Sequence, residues 1–537
     1  PGVGLSEQPL PTAPPGTPPC LDDIAARELA ALALKAEAAL GPPLDLEWAR
    51  AGGIFHLLQA RPITSRPSPE ELQIWTNANA GEVMPDVVSP LTWSLVEPVV
   101  RDGFSTFRRV GLDLSGLPLL SLVAGRVYFN LNTLLVVARI LPGMPEKGLT
   151  EFFGGHQDVA QAMDKLSVFP GALPHAGISW GRALRALPWL LYRHLTLTSR
   201  RADAAVAELR RRAVDDLAFL VPGDPARNEE EILARLLRTV AQMSDSHEFF
   251  LTALLGQSYS SLLYAKCRQW FGEEGNALAS PVLAGLGDNA NAQAGTELWR
   301  LARLARRHPA VRTALQESGS AVFLRLRLSG TPEGEAWLAA WDAFLQEHGH
   351  HSRGELELYN PRWEETPDEI LRQVGALLPT AGNDDFLARF AGLAPGREKA
   401  RQDLLARLSP FRRLQCRLLV RRARKFAALR ENIKSEVVRQ EYALRRLLLA
   451  LGAAWTQRGL LSRADDIFFL RFPELPDIAR APRPEEAVAR LIATRRAEFE
   501  AKAKAIVASM EGKESRLIRA KLKEANLPDE IIRQFAP

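Results

Sequence analysis

The chain is 537 residues long, 46% hydrophobic and 24% charged, the composition of a globular protein with sizeable cores rather than of a disordered or fibrous chain. Its 68 Lys and Arg against 63 Asp and Glu leave a net charge of only +5, so the pI of about 9.2 reflects a modest Arg excess and does not by itself call for nucleic acid. No apolar run reaches the roughly 18 residues that span a bilayer, no secretory signal opens the chain, and Cys20, Cys267 and Cys416 lie too far apart for a C-x-x-C cluster; a cytoplasmic protein with reduced thiols is expected.

The chain opens on Pro1 rather than Met, and Pro9 to Pro19 reads as a poorly ordered lead-in. From Asp22 to Leu40 the apolar spacing predicts one amphipathic helix, ended by Gly41-Pro42-Pro43. Next come Asp45-Leu46-Glu47-Trp48-Ala49, a Gly52-Gly53 turn, and Ile54 to Thr64, which predict a hairpin. Side chains alternate along a strand, so Gln59 and Arg61 share a face, and Pro62 ends the pairing. A carboxylate at Glu47, an amide oxygen at Gln59 and a guanidinium at Arg61 are the hard oxygen ligands and donor fork that a magnesium-bound polyphosphate requires. An ordinary hairpin with solvent-facing polar residues is the plainer alternative. His56 reads as an exposed strand residue rather than a ligand.

After the Pro- and Ser-rich linker Ser65 to Pro69, nearly everything is helical in period. Helices are predicted over Trp180 to Val214, Glu229 to Trp270, Ala290 to Ser318, Gly334 to His348, Asp403 to Arg458 and Pro484 to Met510. Gly125 to Asn130 and Asp466 to Leu470 are the best strand signals. The expected fold class is mainly α: a large irregular helical domain from residue 67 to 537, preceded by a helix-plus-hairpin over 1–66 that cannot enclose a core of its own.

Three constellations in the helical part carry chemistry. The run Trp75 to Pro85, continued by Ser89 to Ser94, predicts a tight polar loop before a helix; structurally, Asn79 and Glu82 there could simply cap a helix and make a turn. The segment His348 to Trp363 collects imidazoles, carboxylates and guanidiniums around Gly349 and Gly354. His348 and His351 would share a face if the helix continued, but Gly349 interrupts it, so metal binding is a weak reading. An anion-recognising or proton-transferring wall is the stronger one, with Glu355 or Glu357 paired to Arg353 or Arg362 and one of the three histidines titrating near neutrality. A satisfied polar junction between helices would explain the same composition. Third, Arg412 to Arg430 places cations on several helix faces, which suits solvation and ion pairing better than a nucleic-acid groove.

The string DLEWA followed by LLQARPIT resembles the last strands of the ATP-grasp domain of the pyruvate phosphate dikinase and phosphoenolpyruvate synthase group, which includes rifampicin phosphotransferases. The NANAGEVMP…PLTWS run, the HHSRGELELYNPRW run and the RENIK run at Arg430 to Lys434 are similar to the middle domain of that family. His351 stands where many members have Arg, which keeps a donor but loses the permanent charge and the fork. The resemblance implies that residues 1–66 are the end of an α/β ATP-grasp domain and that 67–537 form an acceptor-binding domain. It implies that Glu47 and Gln59 hold Mg2+ and, with Arg61, ATP phosphates. Asn79, Glu82, His350, His351, Arg353, Glu355, Glu357, Arg362, Arg430 and Lys434 become candidates for the substrate site.

In this family ATP phosphorylates a histidine on a swivelling domain, which then delivers the phosphoryl group to an acceptor. No Gly-rich turn before a carrier His is found here, so the swivelling domain is expected to be missing, supplied with the rest of the ATP-grasp domain in cis or in trans, and this chain alone is expected to be inactive. The acceptor stays open between a small carboxylate and an apolar, antibiotic-like molecule. A non-catalytic helical binding module derived from the family is the alternative, and nucleic-acid binding through the Arg-rich helix the remote one.

Overall fold

The computed structural model describes residues 21–41, 44–62, 73–78, 80–105, 107–108, 111–114, 116–140, 177–182, 199–220, 228–244, 247–283, 290–379, 381, 385–480 and 486–524, with isolated positions between 159 and 188. The chain divides into two compact units, Pro1–Leu72 and Gln73–Pro537. The linker reading of Ser65 to Pro69 and the Pro-rich lead-in fall outside the described residues.

In the first unit, α1 spans Asp23–Leu40, the helix expected from the periodicity. Asp22 caps it by accepting from the Ala25 N–H at 2.7 Å, satisfying one of the orphan donors of the first turn. Gly41, at φ 88°, closes it through its N–H to the Glu37 carbonyl, and the Glu37 carboxylate accepts from the Leu44 N–H at 3.3 Å, joining helix end to strand start. β1 (Leu44–Ala51) and β2 (Ile54–Pro62) form an antiparallel hairpin. Its two-residue turn, Gly52 and Gly53, has positive φ at both positions, the geometry whose twist suits the strands and which glycine adopts without steric penalty. Ala25 and Leu44 are the buried apolar side chains of this unit among the described residues, while Ile24, Leu34, Ile54 and Leu58 stay exposed. A helix and two strands are too few to bury them.

The second unit is mainly helical. It begins with β3 (Trp75–Thr76), α2 (Ala80–Val83), α3 (Pro90–Ser105), β4 (Leu112–Asp113), β5 (Leu120–Val123), β6 (Arg126–Asn130), α4 (Leu131–Ile140) and β7 (Gly177–Ile178). β6 is the strand expected from Gly125 to Asn130, and it lies between β3 and β5 in a small antiparallel sheet. The rest is helical: α5 (Ser199–Phe219), α6 (Glu229–Ser244), α7 (His247–Phe271), α8 (Glu274–Leu283), α9 (Ala290–Arg307), α10 (Pro309–Glu317), α11 (Ala321–Leu328), α12 (Pro332–His348), α13 (Pro367–Leu377), α14 (Asp385–Ala406), α15 (Pro410–Gln457), α16 (Leu475–Arg480) and α17 (Glu486–Glu524).

The helix expected from Ala290 to Ser318 is two, parted at His308, because Pro309 disfavours a helical residue before it and starts a new helix at N1. The stretch Asp403 to Arg458 also spans a break, with Pro410 opening α15 behind Ser409. Gly459, at φ 77°, follows the end of α15, where the Leu460 N–H reaches the Trp455 carbonyl. The expected strand at Asp466 to Leu470 is instead a 3-10 helix, Ala464–Phe469. Ile467, Phe468, Phe469 and Leu470 are all buried, and a short, wholly apolar run carries no periodicity by which strand and helix could be told apart.

α15 is the axis of this unit. Around its second half Leu444, Leu447, Leu448, Leu451 and Trp455 pack with Leu91, Leu236, Phe468 and Phe469. Along its first half Cys416 and Val420 pack with Leu263, Cys267 and Leu404. A separate core unites α9 to α13 around Trp337, Trp341 and Phe344. The loop between α12 and α13, residues 349–366, lies where these helices meet.

Candidate functional site

On the hairpin, Glu47 is directly opposite Gln59 and Asp45 directly opposite Arg61. Antiparallel partners share a face, so the register brings all four side chains to one side of the ribbon. Arg61 Nε donates to Asp45 Oδ2 at 3.1 Å and its Nη2 lies 3.5 Å from Glu47 Oε1; each of these side chains is more than half exposed. A bulge follows: Trp48 pairs with Leu57, leaving Leu58 unmatched. Beyond it Trp48 packs edge-on against Phe55, with the Arg50 guanidinium over the same ring. His56 is exposed, as expected. Asp45 was missed by the sequence reading, though its spacing of two from Glu47 was the signal that it shares the face.

In the helical unit, α12 ends at His348 because the chain turns sharply at Gly349, where an added Cβ would sit 2.3 Å from the Leu345 carbonyl oxygen. The return strand closes on this turn: the Trp363 N–H donates to the His351 carbonyl at 2.9 Å and the Glu364 N–H to that of Gly349 at 3.1 Å. Gly354 takes φ 68° beside Pro85 and Asn360, and the Leu356 N–H reaches the Val83 carbonyl at 3.2 Å. The 349–366 loop and the Trp75 to Ser94 run are therefore joined.

Glu357 is the tie. Its carboxylate accepts from Ser89 N–H at 2.9 Å, Ser89 Oγ at 2.7 Å, Thr92 Oγ1 at 2.8 Å and the Tyr359 N–H at 2.8 Å. Complete burial pushes its carboxyl above the usual carboxylate range, against the pull of those donors. Arg362, also fully buried, donates to Ser352 Oγ and to the carbonyl of Glu355 at 2.8 Å. Burial lowers the Arg362 guanidinium to about 10. The expected pairing of Glu355 or Glu357 with Arg353 or Arg362 is thus replaced. Arg362 binds backbone and a hydroxyl, Arg353 is exposed with Asp86 at 3.7 Å, and Glu355 accepts from or donates to His351 Nδ1 at 2.7 Å.

The imidazoles are packed together at a tilt: His350 and His351 have ring centroids 4.2 Å apart, and His351 lies 5.2 Å from Trp363. Burial, with His351 and Arg439 adding to it, holds His350 well below the ordinary imidazole range. Neither ring nitrogen of His350 has a hydrogen-bond partner among the described residues. A His350 titrating near neutrality is therefore replaced by a neutral one. The group brought to that range is Glu441 on α15, whose carboxyl burial pushes up to about 7, with Arg362 opposing and Glu357 reinforcing. Among the described residues no cluster of three or more His, Cys, Asp or Glu is arranged to hold a metal ion.

Lys434 and Arg430 lie one turn apart on α15. Arg430 is half-exposed beside Glu431, at 2.9 Å. Burial would raise the Glu355 carboxyl, but the His351 hydrogen bond and the charges of His351, Lys434 and Arg362 outweigh it and hold it low. Glu355, His351 and Lys434 are thereby brought into one electrostatic neighbourhood. Glu82 is exposed in α2; Asn79 lies outside the described residues.

Residues 4–81 match the family described as pyruvate phosphate dikinase, AMP/ATP-binding domain, and residues 249–431 match the rifampicin phosphotransferase fourth domain. A rifampicin phosphotransferase of Streptomyces sviceus is 27% identical over 90% of this chain and 54% of its own length. Over these stretches the chain is similar to the pyruvate phosphate dikinase-like group. A rifampicin phosphotransferase from another Streptomyces is 25% identical over 88% of the chain and 53% of its own length. The prodigiosin synthesizing transferase PigC of Serratia marcescens is 25% identical over 82% and 51%. The chain thus spans about half the length of the curated relatives it matches. Among the described residues no helix is long and apolar enough to cross a membrane. The ATP-binding match covers the hairpin, and the fourth-domain match covers the 349–366 loop and Arg430.

Proposed function

We propose that this chain is the central part of an ATP-dependent phosphotransferase of the dikinase type, gripping the phosphates of Mg·ATP with the hairpin and an acceptor with the helical unit. The observation that carries the reading is the hairpin register, Glu47 opposite Gln59 and Asp45 opposite Arg61, within the stretch matched to an AMP/ATP-binding domain. Glu47 and Gln59 offer facing hard oxygen donors, which fit Mg2+. This ion is commonly held by one or two carboxylates together with the nucleotide's own phosphates and not by an all-protein cage.

Bound there, Mg2+ would neutralise phosphate charge. Arg61 supplies a planar fork for phosphate oxygens, and Asp45, at 3.1 Å from its Nε, holds that fork on the same face of the ribbon while leaving other N–H groups available. In the helical unit, Arg430 and Lys434 carry the charge for a transferring phosphoryl group. Glu355 and His351 lie in the field of Lys434, and Glu357 and Arg362 hold the loop that bears them. Asn79, Glu82, His350 and Arg353 remain candidates for the acceptor site. The phosphohistidine carrier and the rest of the nucleotide pocket come from other parts, in cis or in trans.

The test is turnover. The 537-residue chain alone is expected to leave ATP intact, whereas the longer protein with a carrier domain phosphorylates its acceptor. In that protein Glu47→Ala raises KM for Mg·ATP by roughly tenfold or more, the loss expected for a charge-assisted contact. ATP cleavage by the isolated chain at the rate of the longer protein would refute the division of labour.

A further inference from the structure

Where α11, α12, the 349–366 loop and α15 converge with the end of α5, they enclose a cavity of about 740 Å3, the size of sites that hold small organic ligands. Trp341 at its base is buried, its ring stacked between Trp337 at 5.8 Å and Phe344 at 6.0 Å. Leu217 and Leu345 add apolar wall.

The polar groups differ in how far they are committed. Arg325 is paired with Asp342, and Arg439 with Glu347 at 3.1 Å and Glu436 at 3.2 Å. Arg446 has no such carboxylate among the described residues. Its hydrogen bond is from Nη1 to Tyr442 Oη at 3.0 Å, which leaves most of a planar donor fork without a protein acceptor. The fork is held in place, because the Tyr442 hydroxyl donates to Glu364 and accepts from Arg446.

We propose that this cavity is a binding site for a small apolar monocarboxylate, its head on the Arg446 fork and its body against Leu217 and Leu345. A carboxylate matches a guanidinium in shape and charge. A polyphosphate would meet like charge from Asp342 and Glu364, which line the same space, and an organic cation would meet Arg325, Arg439 and Arg446. The apolar wall of Leu217 and Leu345 favours a ligand with a hydrocarbon body over a hydrated inorganic anion. None of this depends on the reading of the hairpin.

Calorimetric titration of the full chain with benzoate and indole-3-acetate, against the neutral benzamide and indole-3-acetamide, tests the assignment. Each acid is expected to bind with a Kd below about 1 mM, within reach of ligands this small, and each amide roughly tenfold more weakly. Arg446→Gln should level acid and amide, and Leu217→Trp should fill the cavity and remove binding of both, with the melting temperature of each variant recorded to establish folding. Absence of acid binding, equal binding of acid and amide by the parent chain, or unchanged binding by Leu217→Trp would each overturn the proposal.

Discussion

At the scale of single residues, charged groups within the α15 interface decide more than the surface ones. Glu357 satisfies four donors from Ser89, Thr92 and Tyr359, and an unsatisfied buried donor costs about 1–3 kcal/mol. Glu357→Ala is therefore expected to destabilise the helical unit by at least about 3 kcal/mol, read as a lower urea midpoint; a loss under about 1 kcal/mol would mean that the loop is held otherwise. Glu441 makes stability depend on pH. Its carboxyl rises from 4.5 to about 7 on folding, so between those values the native state binds more protons than the unfolded one. Its contribution falls as pH rises through that window, by up to about 3 kcal/mol, and is level above it. Glu441→Gln should remove that fall, so the stability difference between variant and parent grows from about pH 5 to about pH 8 in favour of the variant. A difference that does not change with pH would contradict the assignment. The sequence pointed to a histidine for this behaviour because an imidazole titrates near neutrality when exposed; burial of His350 beside His351 and of Glu441 beside Arg362 brings that carboxyl, and not the His350 imidazole, to this range.

At the scale of elements, glycines separate intrinsic preference from packing. Both Gly396 in α14 and Gly452 in α15 sit inside helices, where Ala is favoured by about 1 kcal/mol. A Cβ at Gly396 meets nothing within 4 Å, but one at Gly452 would lie 2.2 Å from the Ala464 carbonyl, where the 3-10 turn crosses α15. Gly396→Ala is expected to raise the melting temperature and Gly452→Ala to lower it; the same sign for both would contradict this packing. Sequence periodicity found α1, β6, α12 and the bulk of α15 because each has a clear amphipathic or alternating pattern. It misread Ile467 to Leu470, whose uniform burial erases any period. It also left α15 reading as an Arg-rich surface helix. Part of that holds: Arg412, Arg417 and Arg421 are exposed and Lys425 pairs with Asp203 at 2.6 Å. The rest was hidden, because Glu436, Arg439, Glu441 and Arg445 are buried against a loop that is remote in sequence, and charged residues are rarely buried without such partners.

At the scale of the whole molecule, the two units carry different parts of one proposed reaction. The hairpin was legible because strand alternation and a Gly-Gly turn dictate which side chains share a face; its Asp45 to Arg61 pair follows from the register, which only the structure fixes. The polar core beneath the 349–366 loop was legible as composition but not as pairing, since contacts such as Ser89 with Glu357 join residues far apart in the chain. The most direct measurement is phosphoryl transfer from ATP by the longer protein bearing Glu47→Ala, Gln59→Ala and Arg61→Ala together. The account predicts a fall in kcat/KM of at least about a hundredfold with the melting temperature of the helical unit unchanged, and transfer at the parent rate would contradict it.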